Sequence, residues 1–155
     1  MDMDTWIKLL GKTQDDAALK AALAAAGVKK IPKLDKDDYS VIFDLKGHGM
    51  SLEMTDEAEF KELDDQDIGE GPLVLTGVDA YIARRNSRDL YTGALPYKLH
   101  PAMTRDDLRK MFGTPDDSDE QVPYDSWLRD RVELIVGYTK DLQLGHVNVE
   151  LVKPE

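Results

Sequence analysis

Eight carboxylates fall within the sixteen residues DEAEFKELDDQDIGEG, Asp56 to Gly71, against one lysine, Lys61. Oxygen ligands at alternate positions suit a calcium loop, but the register fails. Counting from Asp64 puts Gly69 at the required sixth place, with Ile68 at the fifth and Leu75 at the twelfth, where a bidentate Glu is needed. The histidines His48, His100 and His146 lie in three separate segments, so no local pair supports general acid-base or nucleophilic chemistry. His48, between two glycines, reads as a turn residue, since His tolerates a left-handed backbone. His146, Asn148 and Glu150 alternate with Val147, Val149 and Leu151. A metal site would use those types, yet an exposed strand face predicts the same alternation. Arg84, Arg85 and Arg88 form a basic cluster whose plainer explanation is pairing with nearby acids or solvation. Phosphate-binding glycine loops, serine-hydrolase elbows and metalloprotease helices are absent. An enzyme is not expected, nor a cofactor or a bound metal.

Composition narrows the partners. The 155 residues carry 31 acids and 20 basic side chains, a formal net charge of −11. Phosphate binding needs a surplus of Lys and Arg, so nucleic acid and anionic membrane are excluded and a basic partner is favoured. An acidic excess also serves solubility alone. Cysteine is absent, which removes disulfides and thiolate chemistry. The opening MDMDTWIKLLGK has acids where a secretory signal needs positive charge, and no run approaches the roughly 18 apolar residues of a membrane span. A cytoplasmic protein is the expectation.

The elements that must position these residues follow from periodicity. Asp4 or Thr5 can cap a short helix over TWIKLLGK, ended by Gly11. Asp15 or Asp16 can cap an alanine-rich helix with Leu19 and Leu23 at i, i+4 and Gly27 as its stop. YSVIFDL, the turn KGHG and MSLEM read as a hairpin, with Met50, Leu52 and Met54 on one face. PLVLTGVDAYIA reads as a long strand bulged near Gly77. After the irregular segment RRNSRDLYTGALPYKLHPAM, Thr104 and Asp107 imitate a capping box for a helix with Leu108, Met111 and Phe112 on its apolar face. Residues 114–126 read as a second acidic loop. WLRDRVELIVGYT and HVNVELV read as paired strands around KDLQLG, with Val132, Leu134 and Val136 on the side opposite Glu133.

These elements imply a single α+β domain spanning residues 1–155. A mostly antiparallel sheet of five to seven strands carries helices packed on one face. WIKLLGKTQDD and LRKMFGTPDD match in layout, which suggests a degenerate tandem helix-plus-sheet repeat with halves at 4–85 and 104–152.

GALPYKLHPAMTRDDLRKMFGTPDDSDE, followed by YDSWLRDRVELIVGYTKDLQLGHVNVEL, resembles a recurring bacterial pattern. In it Leu-Pro-aromatic precedes a Met-Thr-Arg helix start, then come a Gly-x-Pro turn, an Asp-x-Trp strand entry and two closing strands. The N-terminal LLGK with its Asp-Asp resembles the opening of the same proteins, while residues 28–92 match loosely. Proteins of this look include small immunity proteins of polymorphic-toxin and type VI secretion systems. The resemblance implies a cytosolic protein that binds and blocks a cognate toxin through carboxylates that meet a basic surface, such as a nuclease groove. The residues expected to do so are Asp56, Glu57, Glu59, Glu62, Asp64, Asp65, Asp67 and Glu70, then Asp116, Asp117, Asp119 and Glu120. The alternative is a non-catalytic adaptor or secretion-associated chaperone whose acids serve solubility.

Overall fold

The computed structural model describes residues 2–35, 37–62, 71–83 and 89–153. Asp64, Asp65, Asp67 and Glu70 of the acidic stretch, and the cluster Arg84 to Arg88, lie outside the described residues. The elements are α1 (Met3–Ile7), α2 (Ala17–Ala25), β1 (Ser40–Leu45), β2 (Met50–Asp56), α3 (Glu57–Lys61), β3 (Leu73–Tyr81), α4 (Arg105–Phe112), β4 (Asp117–Asp119), β5 (Tyr124–Arg129), β6 (Val132–Tyr138) and β7 (Leu144–Leu151). The strands form one antiparallel sheet in the order β1-β2-β3-β7-β6-β5-β4. The fold is therefore the expected α+β arrangement. The first half of the chain supplies the meander β1-β2-β3 and the second half the meander β4-β5-β6-β7, and the two join through β3 and β7.

Three helices cover one face. Met3 and Trp6 of α1, Leu19 and Leu23 of α2 and Leu108 of α4 share a cluster with Leu52, Met54, Val78, Leu134, Val136, Val147 and Val149. On β2, β3 and β7 these apolar residues alternate with polar ones, as a sheet covered on one side requires, while on β6 Ile135 stands between Leu134 and Val136. Ala58 and Phe60 of α3 are buried outside that cluster.

Local chemistry explains the helix ends. The Asp16 carboxylate accepts the Leu19 N–H at 3.0 Å, and Gly27 takes φ +87° just past the α2 end, the left-handed stop that glycine allows. Thr104 and Asp107 make a true reciprocal capping box for α4. Helix α1 begins earlier than Asp4 or Thr5 would dictate, with Asp2 at its N-cap position and no side-chain cap bond. Burial of Met3, whose N–H donates to the Tyr91 hydroxyl at 2.9 Å, draws that extra turn into the core.

Four expectations need correction. WLRDRVELIVGYT is two strands, β5 and β6, folded at Asp130 and Arg131, where Asp130 takes φ 53°. Residues 114–126 are not simply a loop: they contain β4 and the start of β5. Met111 is 44% exposed, and the inward face of α4 is Arg105, Leu108 and Phe112 instead. In the KGHG turn the positive φ values belong to Gly47 and Gly49, not His48. A Cβ on Gly49 would stand 2.1 Å from the Tyr91 nitrogen, so that turn admits no side chain.

The bulge falls where expected. Glu53 pairs with Gly77 and Met54 with Leu75, leaving Thr76 as the extra residue. Its hydroxyl meets the Thr55 hydroxyl at 2.8 Å and lies 3.1 Å from a Glu53 carboxylate oxygen. The bulge keeps both Leu75 and Val78 in the core while the two sides of the bulge stay in register.

Candidate functional site

Among the described residues, the acids of the stretch and of the loop do not form one surface of free carboxylates. Asp56 is fully buried, and its side chain accepts the Glu59 N–H at 3.2 Å as the N-cap of α3. This corrects its assignment as a partner contact, because a buried cap is not presented to a docking protein. Glu57 pairs with Lys61 at 3.1 Å across one helical turn, and Glu59 with Lys153 at 3.2 Å. Glu62 ends α3 in the left-handed conformation, φ 55°. The repulsion expected along this helix is thus partly offset by two lysines, each exposed pair contributing little.

The loop acids are exposed but locally engaged. Asp116 accepts the Leu128 N–H at 2.8 Å. Asp117 accepts the Tyr124 hydroxyl at 2.7 Å, a bond that raises the Tyr124 phenol above its ordinary pKa. Asp119 accepts the N–H groups of Gln121 and Val122 at 2.8 and 2.9 Å, which closes the turn between β4 and β5. Glu120 reaches Arg105 at 3.0 Å.

Arg105 belongs to a buried ion cluster that the sequence did not announce. Asp125, fully buried on β5, accepts two bonds from Arg105 at 3.1 and 3.3 Å and two from Arg109 at 2.8 and 3.0 Å. It also accepts the Tyr138 hydroxyl at 2.8 Å. Burial opposes the Asp125 charge, but the bonds from Arg109, Arg105 and Tyr138 together hold its carboxyl below the usual range. Burial first, then the bond to Asp125, pushes the Tyr138 phenol far up. Two bidentate guanidinium forks on one carboxylate hold α4 against the β4-β5 turn. Both Asp125 oxygens are engaged, which makes the cluster a structural lock.

The face of the sheet opposite the core is the more unusual surface. One row of cross-strand neighbours runs Ile42, Glu53, Gly77, Glu150, Glu133, Leu128, through β1, β2, β3, β7, β6 and β5. Its ends are exposed apolar side chains, Ile42 at 65% and Leu128 at 51%. The next row runs Asp44, Ser51, Asp79, Asn148, Ile135, Ser126 and Asp117. Burial, followed by Glu53, Asp79 and Glu133, raises the Glu150 carboxyl to about 7. A concavity of about 1060 Å³ lies over the β5-β6-β7 side, lined by Tyr81, Val122, Tyr124, Glu133, Ile135 and His146 among others. Single exposed apolar residues are ordinary; here two of them border a row of crowded carboxylates.

His146, Asn148 and Glu150 do share one face, yet it is not simply exposed: Asn148 is 9% exposed and the other two are half-buried. The His146 ring lies where a Gly137 side chain would be, 2.1 Å from an ideal Cβ there. Among the described residues no group of three His, Asp or Glu is placed to hold a metal ion. His100 accepts the Ala102 N–H at 3.1 Å in a local turn. Glu53, Asp79 and Glu133 were not singled out by the sequence. Each sits on the polar side of an alternating strand, but only the register shows that Glu53, Glu133 and Glu150 meet in one row.

No helix among the described residues is long and apolar enough to cross a membrane. No family model matches the chain, and no curated protein matches it. Among solved structures, a DUF4309 family protein (YjgB) from Bacillus subtilis is 15% identical, with 85% of this chain and 77% of that chain covered at a TM-score of 0.43. A likeness that loose carries no inference about function.

Proposed function

We propose that this protein is a non-catalytic binding module that captures and neutralises a basic protein partner, in the manner of a bacterial immunity protein acting on its toxin. The observation that carries this reading is the row Glu53, Gly77, Glu150, Glu133 between exposed Ile42 and Leu128. Like charges directly opposite on neighbouring strands destabilise a free sheet. A partner's cations reverse that sign and accelerate encounter. The wider net charge of −11 extends the same field, and Glu57, Glu59 and Glu62, together with the charge of Asp64, Asp65, Asp67 and Glu70, are proposed to add to it. Asp116, Asp117, Asp119 and Glu120 hold the loop beside the concavity and add charge to it. The encounter is assigned to the cytoplasm, where an immunity protein meets its toxin.

The test is co-expression with the C-terminal domain of the protein encoded beside it. Complex formation should protect the host from that domain, and affinity should fall steeply with salt. The double reversal E133K/E150K should weaken binding more than reversal of Glu57, Glu59 and Glu62. If neither set changes affinity or its salt dependence, the acidic face is not the contact surface and the proposal fails.

A further inference from the structure

We infer that the β1 edge of the sheet pairs with the same edge of a second copy of the chain, across a two-fold axis at Ile42, to form a dimer in solution. The inference goes beyond the immunity reading and does not rest on it.

The two ends of the sheet are built differently. On one side the strand order ends in β4, three residues, Asp117-Ser118-Asp119, all exposed. A short, charged edge is a common guard against pairing with another chain. On the other side the order ends in β1, six residues, SVIFDL, with no proline or lysine and an unbroken register against β2. That edge lacks the guard. Ile42 is 65% exposed, and Tyr39, just before the strand, is 50% exposed. Among the described residues no further strand or bridge lies beyond β1.

Backbone direction fixes the pairing. The Tyr39 carbonyl accepts the Asp56 N–H at 2.8 Å, so the alternation of an antiparallel ladder turns the main-chain groups of Val41, Phe43 and Leu45 towards β2 and those of Ser40, Ile42 and Asp44 outwards. An antiparallel pairing centred on Ile42 sets Ile42 opposite its own copy and Ser40 opposite Asp44, the pairs in which two main chains exchange both bonds. Between them Val41 falls opposite Phe43. Both are half-buried and pack against the core, and their copies would continue that apolar layer from one chain to the next. Just beyond the strand ends, the same register brings Asp38 opposite Lys46 on each side of the axis.

Charge selects a second copy as the occupant. The chain carries −11, yet residues 29–46 hold five lysines against four aspartates, so this is the edge at which two acidic copies repel least. Asp38 facing Lys46, twice over, is the self-complementary pattern that a two-fold interface demands. Such an axis stands perpendicular to the sheet. The helix layers of the two copies then share one side, and their acidic rows lie end to end on the other.

The experiment is sedimentation equilibrium over a dilution series that reaches millimolar chain. Twice the chain mass is expected at high concentration, with dissociation on dilution. I42K sets two lysines face to face at the axis and should weaken association about tenfold or more, while its circular dichroism matches the parent because Ile42 is exposed in the single chain. K46D places like charges at both Asp38 contacts and should weaken association by a similar factor. The exchange D38K/K46D restores opposite charges and should recover the parent value, which tests the register even if I42K fails to fold. The chain has no cysteine, so I42C supplies one thiol to each copy. Cα atoms in such a pair lie about 5.5 Å apart, within disulfide reach. Oxidation should therefore link I42C into a covalent dimer and leave V122C, exposed at the β4-β5 turn, unlinked. A monomer at every concentration, folded I42K that associates like the parent, no recovery in D38K/K46D, or I42C that links no faster than V122C would each overturn the assignment. A monomer that still captures a basic partner would remove the dimer and leave the immunity reading standing, and a dimer that captures none would do the reverse.

Discussion

Glu133 and Glu150 stand directly opposite each other across the β6-β7 ladder, and Gly77 is the next neighbour of Glu150 across the β3-β7 ladder. Burial, followed by the charges of Glu53, Asp79 and Glu133, raises the Glu150 carboxyl to about 7.

Stability should therefore fall as pH rises. A raised folded-state pKa means that the folded protein holds the Glu150 proton where the unfolded chain, near 4.5, has released it. The favourable contribution is full below about 4.5 and is lost as pH climbs through about 7. E150Q should be more stable than the parent at pH 8, by about 1 to 2 kcal/mol, and nearly equal to it at pH 5. Urea unfolding at the two pH values checks this, and an equal gain at both would show that Glu150 is not the titrating group.

Asp125 should behave in the opposite sense. Its carboxyl is held below the ordinary 3.8, so the stability it contributes is present above 3.8 and is lost as pH falls through the lower folded value. D125N leaves Arg105 and Arg109 facing a neutral amide in a buried place, a loss of about 3 to 5 kcal/mol. Y138F removes one neutral donor and should cost about 1 kcal/mol. Denaturant midpoints of the two variants give the comparison, and D125N as stable as Y138F would mean the cluster is not a lock.

The α4 capping box makes a smaller and cleaner case. T104A removes the acceptor for the Asp107 N–H, 3.3 Å away, while the Thr104 N–H keeps its bond to the Asp107 carboxylate at 2.9 Å. Loss of about 1 kcal/mol is expected, with T104S recovering most of it. A T104A protein with an unchanged midpoint would show that the Asp107 side of the box suffices.

What the sequence made legible was local. The caps at Asp16 and Thr104, the hairpin around Gly47 to Gly49, the bulge at Thr76 and the inward Met50, Leu52 and Met54 all follow from short-range pattern, and the structure has them. What was not legible depends on register. The burial of Arg105 in the first turn of α4 has no local signal, because its partner Asp125 lies twenty positions away on another strand. Glu53, Glu133 and Glu150 each read as the polar half of an alternation, and only the order β2-β3-β7-β6 brings them into one row. The turn at Asp130 was hidden because it carries neither Gly nor Pro, although Asp tolerates the left-handed backbone better than most residues. The acidic density of residues 56–70 and 114–126 drew attention by count, whereas the carboxylates without a described cation are sparse in sequence and dense in space.

The acids chosen by count should accordingly separate into two groups under substitution. Asp119 accepts two backbone N–H groups at 2.8 and 2.9 Å and so defines the β4-β5 turn. Glu57 and Glu59 each meet one lysine near the surface. D119A should cost about 1 kcal/mol or more, since two donors lose a charged acceptor, and should loosen the turn from which Glu120 reaches Arg105. E57Q and E59Q should each stay within about 0.5 kcal/mol of the parent. Hydrogen exchange at Gln121 and Val122 distinguishes the cases: it should rise in D119A and remain unchanged in E57Q and E59Q. Unchanged exchange in D119A would mean that strand pairing alone sets the turn.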